Sequence, residues 1–306
     1  MTWLHEHVDD YLRLRRALGF TLEREGQLLA QFANHLQALG AERLTSELAI
    51  AWAKEPAAAQ SSHWAKRLGV VRHFAAYLKT IDATTEVPPT GVFGARRQRC
   101  VPYLYSDRDV ARVLEAARAL RPPLRAATHE ALFGLLAATG MRIGEALALE
   151  RGDVDLDRGV ITIRHAKFDR ERLVPLHEST TAALRSYATE RDRLSPGPRP
   201  AVFFCSGVGT ALSRSAVDKV FRDITVAIGL CTATVRPRVH DLRHSFAVRT
   251  IVQWQRSSVS VDQHIAVLST YLGHVAPSDT YWYLSASPEL MELAGQRLEA
   301  RFGGRP

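Results

Sequence analysis

From His240 to Tyr283 the chain reads HDLRHSFAV at 240–248, LSTYLGH at 268–274 and DTYWYL at 279–284. His240, Arg243 and His244 stand at i, i+3 and i+4, so on a helix they share one face. That face carries two imidazoles and a guanidinium, while Leu242, Phe246 and Ala247 are free to turn to a core. The run Val261–Leu272 sets Ile265, Leu268 and Leu272 on one apolar stripe and stops at Gly273, a residue suited to a helix C-cap. His274 follows at once, and Tyr283 comes nine residues later. A phosphate-seeking cluster with a tyrosine downstream points to phosphoryl transfer onto a phenol oxygen. Tyr271 and Tyr281 are rivals for that role. Tyr281 and Tyr283 are two positions apart, so they point to different sides of a helix.

Working outward, TGMRIGEAL at 139–147 places Arg142 in the turn between two helices and Glu145 one turn on. An arginine there either caps the preceding helix carbonyls or binds an anion. Taken singly, His240 reads as a cap, His244 as a packing residue and His274 as an exposed residue after a C-cap. Taken jointly, HDLRH, LGH, the nine-residue step to Tyr283 and the pattern TG-x-R-x-x-E-x-L resemble the tyrosine recombinases, the phage integrase family, over residues 106–285.

The resemblance implies a chemistry that the residue types suit. Arg142 and Arg243 are forks that bond two phosphate oxygens and stay charged. His274 donates a third bond, and Glu145 orients the surroundings of Arg142. Tyr283, which the family spacing selects, is the nucleophile, and its phenol must lose a proton as it attacks. His240 is the candidate base. Lys167 is the candidate acid for the departing 5′-hydroxyl, with Arg164, Arg170 and Arg172 as close competitors; a hairpin lysine otherwise blunts a sheet edge. A 3′-phosphotyrosine keeps the bond energy, so no cofactor, ATP or metal is implied. Double-stranded DNA is the implied partner, with a homo-tetramer in the synaptic complex. Two rivals stay open: a type IB-like topoisomerase, and a non-catalytic DNA-binding regulator on the same scaffold.

Composition bounds the rest. At 306 residues and 46% hydrophobic content the chain can form two domains with cores. It has no apolar run of the roughly eighteen residues that span a membrane, and its N-terminus carries acids rather than a signal peptide. Cys100, Cys205 and Cys231 are isolated, which suits a reducing cytoplasm and offers no zinc spacing. There is no Walker loop or acidic metal cluster. The net charge of +8 fits a polyanion, yet many proteins that ignore nucleic acid share it.

In order, residues 1–82 read as four helices, the second capped by Thr21, the third opened by Thr45 and stopped by Pro56. Arg67 and Arg72 decorate the outer side of the fourth, either as solvated charge or as contacts to DNA backbone. The resemblance favours a DNA core-binding domain. Residues 83–105 read as a linker, rich in proline and glycine and then basic at Arg96, Arg97 and Arg99. Residues 106–306 form the catalytic domain: a helix started by Ser106, a buried helix ending at Gly140, strands over 153–176 with Ile161 and Ile163 facing one way and Thr162 and Arg164 the other, a helix over 178–194, and a short buried strand AVFFC. Ser213 then caps a helix whose Arg214 and Lys219 either track phosphates or face solvent. A last amphipathic helix over 288–301 packs on its own domain or, as the resemblance implies, on a neighbouring subunit. The class is mainly α with a small β-sheet, α+β.

Overall fold

The structure, a computed structural model, describes residues 3–94, 101–166, 170–195, 201–257, 260–274, 278–285 and parts of 290–299. It divides into two compact units, residues 1–100 and 101–306.

The first unit is four helices: α1 (Trp3–Ala17), α2 (Glu23–Ala38), α3 (Ser46–Lys54) and α4 (Ser61–Leu78). Their apolar stripes meet in a core centred on Leu29, Phe32, Trp52, Leu68 and Phe74. Thr45 caps α3 as its sequence predicts, its hydroxyl accepting from the Leu48 N–H. Thr21 does not cap α2; Leu22 stands there, in the left-handed region at φ 44° and with no side-chain cap. Arg67 also departs from the expectation. It is 7% exposed, lies over the Trp52 ring at 3.7 Å and donates to the Trp52 carbonyl at 3.0 Å, so it is part of the core and has no face for DNA. Arg72 spends its fork on the carbonyls of Pro88 and Pro89, at 2.9 and 2.7 Å. Those contacts, with Val87 and Phe93 against the core, make 83–94 a packed strap on the first unit rather than a free tether. Arg96, Arg97 and Arg99 lie outside the described residues.

The second unit contains α5 (Asp107–Arg118), α6 (Pro123–Thr139), α7 (Ile143–Ala148), β1 (Val154–Asp155), β2 (Val160–Ala166), β3 (Arg170–Pro175), α8 (Glu178–Leu194), α9 (Arg214–Ala227), α10 (Val239–Arg256), α11 (Val261–Leu272), the short α12 (Ser278–Tyr281) and a 3₁₀ turn at Trp282–Ser285. Ser106 and Asp109 form a reciprocal capping box at α5. The sheet is antiparallel in the order β1-β2-β3. Ile161 pairs with Val174 and Ile163 with Arg172; both isoleucines are buried and Arg164 is exposed, as the alternation requires. AVFFC is not a ladder strand. Phe203, Phe204 and Cys205 are buried, but the segment makes only isolated bridges, Glu150 with Val202 and Cys205 with Ala211. One core joins α5–α9 and the sheet; a second joins α10, α11, Tyr283 and Leu290. Much of 288–301 lies outside the described residues, as does Lys167, between β2 and β3 in sequence.

Candidate active site

Three arginines converge on the C-terminal end of α11. Arg172 donates through Nε to the Tyr271 carbonyl at 3.1 Å. Arg243 donates through Nη2 to the Leu272 carbonyl at 2.8 Å. Arg142 donates through Nη2 to the Gly273 carbonyl at 2.5 Å. The last carbonyls of a helix have no partner within it and form the negative end of its dipole, so cations are held there. Gly273 adopts φ +69°, and a Cβ on it would stand 2.5 Å from Arg172 Nη1 and 3.2 Å from Arg142 Nη1. The residue that ends the helix is therefore also the floor of a guanidinium pocket. The other end of Arg243 is held alike: its Nη1 donates at 2.8 Å to the carbonyl of Gly140, the C-cap of α6. Arg243 is 3% exposed.

Glu145 ties two of these arginines together. Its Oε1 accepts from Arg142 Nη1 at 2.8 Å and from Arg172 Nη1 at 2.9 Å. Its Oε2 accepts from the Arg142 backbone N–H at 2.9 Å and from Arg172 Nη2 at 2.7 Å. Burial raises the carboxyl pKa, but the Arg172 bonds and charge, joined by Arg142, outweigh it and hold the group at about 2.

Beside the arginines lies Tyr283, 3% exposed. Its ring stacks on His274 at 5.9 Å and 24° and meets the edge of His244 at 5.4 Å. Burial pushes its pKa up; the nearby Arg243 guanidinium pulls the other way. His274 Nδ1 lies 2.6 Å from Thr280 Oγ1. With the hydroxyl donating, the ring proton sits on Nε2, where the imidazole can donate in turn. Burial, then Arg243 and Arg142, lower His274 to about 4.

His240 is exposed, yet crowding by the protein and then the Arg243 charge lower its pKa. His244 touches His240 at 4.8 Å and Trp282 at 5.0 Å as well as Tyr283. Burial, then His240 and Arg238, lower it to about 3, and its buried Nδ1 has no hydrogen-bond partner.

The structure thus brings together Arg142, Glu145, Arg243, His274 and Tyr283, with His240 reaching them through His244. Tyr281 is 50% exposed, and Tyr271 stacks on Phe246 at 5.7 Å. Arg214 and Lys219 are exposed on α9 and pair with Asp218 and Asp223. Arg164 pairs with Asp153. Arg172 was visible in the sequence only as a competitor of Lys167. Its one signal was placement: two residues before Val174 it shares that residue's inward face of β3, where a charged residue needs a buried partner.

Comparison with known proteins gives the chain's relatives. The phage integrase family matches residues 106–289. A putative integrase/recombinase, y4rB, of Sinorhizobium fredii (strain NBRC 101917 / NGR234) is 44% identical over the whole of both chains. The tyrosine recombinase XerD of Bradyrhizobium diazoefficiens is 29% identical over 76% of this chain and 74% of its own. Among solved structures, the Tn1549 transposon integrase in complex with transposon right-end DNA superposes with a TM-score of 0.68 at 14% identity, covering 99% of this chain and 100% of that one.

Proposed function

The chain belongs to the phage integrase family and is a site-specific DNA recombinase; we propose that Tyr283 is its nucleophile and that Arg142, Arg243 and His274 hold the phosphate under attack. The observation that carries this reading is the burial of Tyr283 against His274, beside the three arginines gathered on the end of α11. Tyr283 Oη attacks phosphorus, a 3′-phosphotyrosine forms, and the bond to the 5′-oxygen breaks. The phenol proton passes to His240. His240 serves better than His244, because it is open to solvent while His244 is too weak a base at about 3. Lys167 returns a proton to the leaving 5′-hydroxyl. As charge builds on the nonbridging oxygens, fixed guanidiniums meet it, and loss of one such donor costs ~10²–10³ in rate. A partner 5′-hydroxyl then reverses the step. One tyrosine per protomer and two strands at each of two sites call for four copies, a homo-tetramer on DNA.

Residues 1–100 serve as the core-binding unit in this proposal, and Arg214 and Lys219 as backbone contacts. A DNA substrate sets the work in the bacterial cytoplasm, on the nucleoid. No described helix is long and apolar enough to cross a membrane.

Covalent trapping tests the assignment. Duplexes that the protein selects from a random-sequence pool are nicked and incubated with it in EDTA, beside Tyr283→Phe and Tyr281→Phe. A denaturation-resistant adduct lost only in Tyr283→Phe is expected. Loss only in Tyr281→Phe would move the nucleophile. Binding with no adduct, with or without added metal, would leave a DNA-binding regulator.

A further inference from the structure

The three guanidiniums and the Glu145 carboxylate form one charge set. Arg142, Arg172 and Arg243 less Glu145 leave a net charge of two positive, which matches the two negative charges of a phosphodiester under attack by an oxyanion. Without Arg172, Glu145 would face Arg142 as a simple ion pair and cancel the charge that the phosphate needs. We propose that Arg172 is a positioning residue that takes up the Glu145 charge, so that Arg142 is both oriented by Glu145 and left electrostatically free for the phosphate.

The geometry carries this. Arg172 meets both Glu145 oxygens through two nitrogens, at 2.9 and 2.7 Å, a fork-on-fork pairing. Arg142 uses only Nη1 and its backbone N–H on Glu145, and puts Nη2 on the Gly273 carbonyl. The Arg172 and Glu145 side chains are 12% and 11% exposed, so solvent screens their pairing weakly, whereas Arg142 is 35% exposed and opens outward. Arg172 also grips the Tyr271 carbonyl. It sits on β3, one strand from the sequence that carries Lys167 on into the β2–β3 connection. A plain structural brace would explain the Tyr271 bond, but not a bidentate pairing with the carboxylate that already orients Arg142.

The inference rests on the reading that Arg142 meets the phosphate, and two readouts keep the two apart. One is the single-turnover rate of adduct formation on the nicked duplex. The other is binding of inorganic phosphate, followed by ³¹P line broadening, which needs no cleavage. The variants are Arg172→Gln, Arg172→Lys, and each combined with Glu145→Gln. Arg172→Gln is expected to slow adduct formation ~10²-fold and to weaken phosphate binding. Removing the now unshared charge in the double variant is expected to restore about tenfold in both. Arg172→Lys, which keeps the charge but not the fork, should lose less than Arg172→Gln. If Arg172→Gln does not fold, the lysine pair gives the same comparison. A brace predicts a double variant no better than the single one, and that result overturns the proposal. Restored phosphate binding with no adduct from any form would keep Arg172's role and sink Tyr283 as nucleophile.

Discussion

At the scale of single residues, the site is a set of imidazoles kept neutral by burial and then by neighbouring cations. His244 and His274 are lowered to about 3 and about 4, against about 6.5 for an unfolded histidine. As pH falls, the unfolded chain therefore takes up these protons first. The stability the two groups contribute is complete above about pH 6.5 and is lost as pH falls toward their folded values. The melting temperature of the free protein should drop between pH 7 and pH 5. His244→Phe, which keeps a ring against Trp282 and Tyr283 but cannot titrate, should drop less over the same range. Equal drops would show that His244 is not held neutral in the fold. From the sequence His244 was a packing residue, and its contacts with His240, Trp282 and Tyr283 agree. Its orphaned Nδ1 and its depressed pKa were not legible, because both come from burial, and the pKa also from the nearness of His240, Arg238 and Arg243, all brought about by folding.

At the scale of elements, the C-terminal end of α11 does the positioning. Three consecutive carbonyls each take a different arginine, from α10, from β3 and from the turn before α7. The helix, its stop at Gly273 and the motif arginines could be read from spacing. Their convergence could not: the Arg142–Gly273 bond joins residues 131 apart and the Arg172–Tyr271 bond residues 99 apart, and no local periodicity records such pairs. Arg67 failed for the complementary reason. Helical spacing put it among polar neighbours, whereas the fold gave it an aromatic face and a carbonyl inside the core. Gly273→Ala tests the pocket floor. A methyl group 2.5 Å from Arg172 Nη1 and 3.2 Å from Arg142 Nη1 must move at least one guanidinium. The positive φ adds about 1 kcal/mol of backbone strain. Adduct formation should fall by ~10²–10³, as for loss of one donor to the developing charge, while far-ultraviolet dichroism stays that of the wild type. A wild-type rate would mean that the arginines do not need this carbonyl geometry.

At the scale of the whole molecule, the proposed chemistry falls in one unit of the chain while positive charge is spread over both. Every described residue assigned a chemical role lies in 101–306, a unit with its own cores, and 1–100 has a core of its own. The excess of Lys and Arg over Asp and Glu is shared, three in residues 1–100 and five in residues 101–306. Each phosphate that such a residue neutralises steepens the fall of log affinity with log salt by about 0.9. A fragment of residues 101–306 should therefore fold cooperatively and still form the Tyr283 adduct at saturating protein, at a rate close to that of the full chain. Its affinity for the same duplex should be lower and its salt dependence shallower, by about 0.9 for each phosphate contact that left with residues 1–100. Adduct rates measured at saturation, and dissociation constants measured across a salt series, read the two effects independently. A fragment that binds as tightly, with the same salt slope, would deny the first unit its share in DNA binding. A fragment that is folded and saturated but unable to form the adduct would mean that the chemical step itself draws on residues 1–100.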